Sequence, residues 1–291
     1  MSSRRELKNL KKVLQKVKES EEKIKNLSDG ELTALTDAFR ERYRNGESLD
    51  SILPDAFAAM MTADERVLGK HPYDVQVLAG IAMHQGYLAE MNTGEGKTLS
   101  ATMPLYLNAL TGKSCILVTT NEYLASRDGE EMSEVYNFMG ISCSYPRTNE
   151  KEKMTDEEKK EFYQADIIYM TNGMLGFDYL FDNLVKNKNE RFLCDFYYVI
   201  IDEADAVLLD SAVMPLVVSG VPRVQSNLYD VCDFFVTTLV EEIDYEEEDN
   251  AVWLTPKGVK FAENFFGIDN FYSKENFEIN RHVTLALRAH K

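Results

Sequence analysis

Residues 93–98 read Thr-Gly-Glu-Gly-Lys-Thr. No other stretch limits the possible folds so sharply. The strict phosphate-loop pattern wants glycine at position 91 and meets Met91, but the shorter Thr-Gly-x-Gly-Lys-Thr form of helicase-like motors fits throughout. Glycines at 94 and 96 let the backbone approach phosphate oxygens and turn its amides inward. The helix that follows aims its positive end at the same place. Lys97 is placed to contact the β- and γ-phosphates, and Thr98 to give its hydroxyl to Mg²⁺. Upstream, GYLAEM reads as a strand; downstream, TLSATMPLYLNAL reads as a helix.

A second element stands about 105 residues on, where VIIDEAD (199–205) ends an apolar strand in Asp-Glu. Asp202 is the candidate Mg²⁺ holder, and Glu203 the candidate for orienting the attacking water. Asp205 either links the site to moving parts or caps a helix. Gln76 lies 18 residues before Gly94, and its amide can donate to and accept from an adenine edge together, as it does in reading DNA.

The surrounding pattern is α/β. Strand candidates are 86–90, 114–119, 166–170, 198–202 and 215–219, and the middle ones are nearly continuous apolar runs. Such runs suit parallel strands buried on both faces, and their alternation with helices predicts a doubly wound sheet. Residues 28–70 read as helices, with a capping box at Ser28 and Glu31 and punctuation at Gly46 and Pro54. Residues 150–161 read as a solvated charged stretch, and the seven acids within 241–249 as an exposed loop or hairpin end. Beyond them a turn at Pro256-Lys257-Gly258 opens a small second unit, with strands expected around 215–222 and 250–255 and helices around 226–240 and 256–266.

Charge separates the ends. Residues 1–25 carry nine Lys/Arg against four Glu, a local +5 in a chain of net charge −17. Leu7, Leu10, Leu14 and Val17 put one apolar stripe on that segment at helical spacing. Two readings stay open: a surface helix packed on the body, or a basic helix resting on an anionic membrane or an acidic partner. So acidic a chain is a poor general binder of nucleic acid, since phosphate neutralisation needs Lys and Arg. Cys115, Cys143, Cys194 and Cys232 are widely spaced, which fits neither a zinc ribbon nor a disulfide framework and suits a reducing compartment. No apolar run reaches membrane-span length, and the basic N-terminus lacks the apolar core of a secretory signal. The expectation is a cytosolic protein.

Together these residues resemble the SecA preprotein translocase ATPases. The resemblance runs through HPYDVQVLAG (71–80), AEMNTGEGKTLSATMPLYLNALTGK (89–113), TTNEYLASRD (119–128), TNGMLGFDYLFDNL (171–184), VIIDEADAVLLDSAVMPLVVSG (199–220) and HVTLALRAH (282–290). PRVQSN at 222–227 is more similar to the accessory Gram-positive type. The resemblance implies a RecA-like, DEAD-type motor lobe over 28–216, preceded by the basic helix (1–27), and a preprotein cross-linking domain, whole or in part, over 217–291. It implies ATP and Mg²⁺ as cofactors, with Gln76, Thr93, Gly94, Glu95, Gly96, Lys97 and Thr98 at the nucleotide, Thr98 and Asp202 at the metal, and Lys97, Asp202 and Glu203 in catalysis. Its implied partners are unfolded preprotein, a SecYEG-type channel and an anionic phospholipid surface, with no nucleic acid, and its implied location is the cytoplasm and the cytoplasmic face of the membrane. Three departures stand out. Ala204 makes the second motif DEAD where a bulkier residue is usual. Phe181 replaces the common arginine of GFDYLRDN. No Q-x-x-G-R-x-x-R element of a second motor lobe occurs before Lys291, so this chain reads as the N-terminal piece of a longer protein, expected to hydrolyse ATP only very slowly alone. The alternatives are the first lobe of a DEAD-box RNA helicase, or a nucleotide-sensing module without turnover.

Overall fold

The computed structural model describes residues 2–147, 154–193, 197–218, 228–248 and 251–290. Cys194, the segment 222–227 and the start of the charged stretch lie outside them. The chain divides into two compact units, Met1–Val218 and Ser219–Lys291.

The first unit opens with four helices: α1 (Ser2–Ile24), α2 (Asp29–Arg44), α3 (Leu49–Leu68) and α4 (Asp74–His84). Ser28 and Glu31 form the expected capping box: Ser28 N donates to Glu31 at 2.8 Å, and Glu31 N to Ser28 Oγ at 3.4 Å. Gly69 ends α3 in the left-handed region, at φ 66°. Pro54 does not break the chain there but lies inside α3. It sits early in the helix and forfeits only its own amide bond, while Ile52, Leu53, Ala56 and Phe57 around it are buried.

After α4 come α5 (Lys97–Ala109), β1 (Cys115–Thr119), α6 (Glu122–Phe138), β2 (Cys143–Ser144), α7 (Asp156–Tyr163), β3 (Ile167–Thr171), α8 (Asn172–Leu184) and β4 (Tyr198–Ile201). The four strands form a parallel sheet in the order β2-β3-β1-β4. The side-chain period of two sorts β1 and β3 cleanly. Cys115, Leu117, Ile167 and Tyr169 face a core shared with Phe57, Met60 and Tyr106. Ile116, Val118, Ile168 and Met170 face a second core with Phe162 and Tyr163. Part of the supposed solvated stretch is helix: α7 carries its own capping box, Thr155 with Glu158.

Two expected strands do not form among the described residues; positions 219–222 of the second lie outside them. Residues 86–90 and 215–218 form no ladder. Tyr87–Met91 lies across a cavity from β4, the edge strand of the sheet. The segment makes no ladder with the open edge of β4, and Leu88 remains 82% exposed. Residues 215–218 likewise remain largely exposed.

α1 packs on the body. Leu14, Val17 and Ile24 are buried, Lys18 pairs with Asp74 at 2.7 Å, and Ser20 donates to Asp55 at 2.6 Å. Arg4, Arg5, Lys8, Lys11 and Lys12 remain exposed. Among the described residues no helix is long and apolar enough to cross a membrane.

The second unit holds α9 (Leu228–Thr237), an antiparallel hairpin of β5 (Tyr245–Glu248) and β6 (Ala251–Leu254), α10 (Pro256–Phe266) and α11 (Phe277–Ala289). Its core gathers Cys232, Phe235, Tyr245, Leu254, Phe271, Val283 and Leu287. The acidic run is partly strand: Glu246, Glu247 and Glu248 line β5 in solvent. Pro256 is the first residue of α10, capped by Thr255, whose side chain accepts from Gly258 N at 3.2 Å. Gly258 has no room for a larger residue, because a Cβ there would sit 1.8 Å from the Asp244 carbonyl oxygen.

Candidate functional site

The phosphate-loop sequence folds into a tight turn that ends in α5. Gly94 and Gly96 have φ of 86° and 79°, the left-handed region that glycine reaches without strain. Gly96 is the N-cap of α5 and Lys97 its first residue, so the unpaired amides of the first turn and the Lys97 ammonium share one end of the helix. The loop is also tied to itself. Asn92 N and Asn92 Nδ2 donate to the two Glu95 carboxylate oxygens at 2.9 and 3.0 Å. These bonds hold the Glu95 carboxyl below its usual range.

Gln76 closes the turn from behind. Its Oε1 accepts from Tyr73 N and its Nε2 donates to the Glu95 carbonyl, both at 2.8 Å. The side chain is buried, and a Cβ on Gly96 would come within 2.2 Å of Nε2. Gln76 thus ties the loop backbone at Glu95 to the start of α4, with one atom of its amide on each.

The acidic pair stands where β4 ends. Asp202 N continues the ladder by donating to Val118 O at 2.8 Å. Burial pushes the Asp202 carboxyl up, against the hydrogen bond from Glu203 N at 3.0 Å and the charge of Lys97. Glu203 has φ of 52°, an uncommon conformation for a side chain with a Cβ. Its Oε2 accepts from Thr120 Oγ1 at 2.5 Å. Lys97, Thr98, Asp202, Glu203 and Asp128 all line one cavity of about 1030 Å³, with Tyr198 of β4. The buried Tyr198 hydroxyl has no partner among the described residues. Thr93, Gly94 and Glu95 are exposed on the loop and do not line that cavity. Asp205, at its rim, makes no side-chain cap bond.

The sequence reading missed Asp128 and Thr120. Asp128 of α6 accepts from Thr98 Oγ1 at 3.3 Å and is itself held by Arg127 Nε at 2.7 Å. Both lie in the quoted segment TTNEYLASRD. No spacing rule announces that the end of one strand will meet the acids at the end of its neighbour; that follows from the β1-β4 pairing.

The donors suit a hard divalent cation: a threonine hydroxyl and carboxylates around a desolvated aspartate whose ionisation a bound cation would favour. Among the described residues no three His, Cys, Asp or Glu side chains converge as a complete metal cage. A sparse set of this kind matches Mg²⁺, which keeps waters and shares phosphate oxygens with its nucleotide. In GFDYLFDNL, Asp178 accepts from Tyr163 Oη at 2.9 Å, and Asp182 accepts from the amides of Phe192 and Leu193 at 2.8 and 3.2 Å. These acids anchor α8, while Phe181 is partly exposed near Lys159 Nζ, 5.9 Å from the ring centre.

The family model described as the SecA DEAD-like domain matches residues 1–287. The chain is 55% identical over 289 residues to the protein translocase subunit SecA 2 of Streptococcus sanguinis (strain SK36), covering 98% of this chain and 36% of that protein. It is 53% identical to SecA 2 of Streptococcus gordonii, over 98% of the chain and 36% of the relative. Against the protein translocase subunit SecA of Clostridium botulinum (strain Eklund 17B / Type B) the identity is 46%, over 99% and 34%. The chain therefore spans about a third of the length of the curated relatives it matches.

Proposed function

The chain belongs to the SecA DEAD-like domain family, and on that premise we propose that it is the ATP-binding motor portion of a protein translocase. Its reaction is ATP hydrolysis, coupled in the longer protein to export of unfolded preproteins through a SecYEG-type channel. Its place of work is the cytoplasm and the cytoplasmic face of the membrane. The observation that carries the reading is the meeting of Lys97 and Thr98, at the start of α5, with Asp202 and Glu203, at the end of β4, in one cavity.

Lys97 and the first-turn amides of α5 bind and orient the phosphates. Thr98 and Asp202 would hold Mg²⁺, which supplies charge neutralisation on the phosphate oxygens when bound. Glu203 orients the attacking water and accepts its proton. Gln76 ties the loop to the start of α4, and an adenine contact requires its amide to exchange one of those two bonds. Residues 219–291 are assigned to the preprotein cross-linking domain. The higher identity to the SecA 2 relatives favours the accessory type. Turnover by these residues alone is expected to be very slow, since an arginine finger is worth about 10³–10⁵ in rate in such motors and none is assigned here.

Titration with a fluorescent ADP analogue in Mg²⁺ tests the site. Wild type should bind, and Lys97→Ala should weaken binding at least tenfold, because it removes the cation at the helix start. Equal affinity for the two would refute the assignment.

A further inference from the structure

The β1–α6 connection touches both halves of this site. Thr120, the residue after β1, donates to Glu203 Oε2 at 2.5 Å, within the short range of charge-assisted O–H···O⁻ bonds. Eight residues on, Asp128 accepts from Thr98 Oγ1. Glu203 meanwhile keeps a left-handed backbone, φ 52°, although it carries a Cβ. Such a conformation persists only where its surroundings hold it. Three bonds hold it here: its amide donates to Asp202 Oδ1 at 3.0 Å, its carbonyl accepts from Val207 N at 3.1 Å, and its carboxylate accepts from Thr120.

We propose that Thr120 is a positioning residue that holds the Glu203 carboxylate in a resting orientation, and that hydrolysis requires this bond to open. The inference rests on the ATPase reading above. A carboxylate that polarises water must turn a free lone pair toward it. The Thr120 hydroxyl occupies one lone pair of Oε2 and fixes the side chain toward β1. Because α6 is tied to Thr98 through Asp128, movement of Thr98 toward a bound cation is passed to the start of α6 and so to Thr120. The site would then unlock Glu203 as it fills.

The test is single-turnover hydrolysis of γ-labelled ATP, with the 291-residue chain in excess and Mg²⁺ present. Thr120→Val keeps the branched shape and removes the donor; Thr120→Ser keeps the donor. Thr120→Val should hydrolyse about tenfold faster, equivalent to about 1.4 kcal/mol of barrier, at unchanged affinity for the ADP analogue. Thr120→Ser should stay within about twofold of wild type. Thr120→Ala, a second variant without the donor, should follow Thr120→Val. A rate equal to or below wild type in both donor-less variants, with nucleotide affinity and melting temperature preserved, overturns the proposal while leaving the ATPase reading standing. Turnover that survives Glu203→Gln overturns both.

Discussion

Asp64 shows what a single residue can hide in a core. It is fully buried in α3; Thr102 of α5 donates to its Oδ2 at 3.0 Å, and its Oδ1 has no partner among the described residues. Burial raises its pKa well above the usual carboxylate range, only partly offset by Thr102. The folded chain therefore holds this proton more tightly than the unfolded chain does. Linkage gives the sign: the contribution is complete below the unfolded carboxyl value, near 4, and is lost as pH rises toward the raised folded value. Asp64→Asn removes that slope. The urea midpoint of wild type should fall relative to Asp64→Asn between pH 5 and pH 8, and parallel pH profiles would contradict the assignment. Its position was open to sequence inspection, but its burial was not, because MTADERV reads as the polar end of a helix.

At the scale of elements, α1 packs on the body, the first of the two readings its sequence left open, and its exposed cations keep the membrane reading as a prediction. Of the apolar stripe, Leu14 and Val17 are buried on the body and Leu10 packs beside them, while Leu7, 46% exposed, and five cations near its start face solvent. Any attraction to an anionic membrane must then be electrostatic rather than insertive. At about 1 kcal/mol per cation near the surface, Lys8→Glu, Lys11→Glu and Lys12→Glu together should abolish sedimentation with phosphatidylserine vesicles at low salt. Salt alone should do the same to wild type, since charges on an exposed face are screened within about 10 Å at 0.1 M. Circular dichroism should be unchanged in the triple variant. Vesicle binding that survives both treatments would point to insertion after all. Strand calls for a similar distinction. The stretch 86–90 has strand composition, yet makes no ladder with the open edge of β4; composition alone does not bring two backbones into pairing distance.

For the whole molecule, the two units have separate cores, and every assigned nucleotide contact belongs to the first. The single tryptophan, Trp253, lies on β6 of the second unit. A ligand stabilises what it binds: at 100 times its Kd the gain is about 2.7 kcal/mol. Mg²⁺ and ADP should therefore raise the thermal transition followed by far-ultraviolet circular dichroism, to which the first unit contributes most. They should leave the transition followed by Trp253 fluorescence in place. Equal shifts in both signals would show that the units unfold as one.

The local order of residues by itself determined the parallel α/β core, the Ser28 capping box and the phosphate loop. Each rests on short-range physics: period-two burial in β1 and β3, a hydroxyl three residues from a carboxylate, and glycines where φ must be positive. The second acidic element was legible for the same reason, as an apolar run ending in Asp202 and Glu203. Only the tertiary structure decided which residues meet across the sheet. Thr120 reaches Glu203 over 83 positions, and Asp128 reaches Thr98 over 30. Gln76 spends one atom of its amide on the loop at Glu95 and the other on the Tyr73 amide at the start of its own helix. Such pairings depend on strand order and register, and these are set by how a long chain closes on itself rather than by any local pattern.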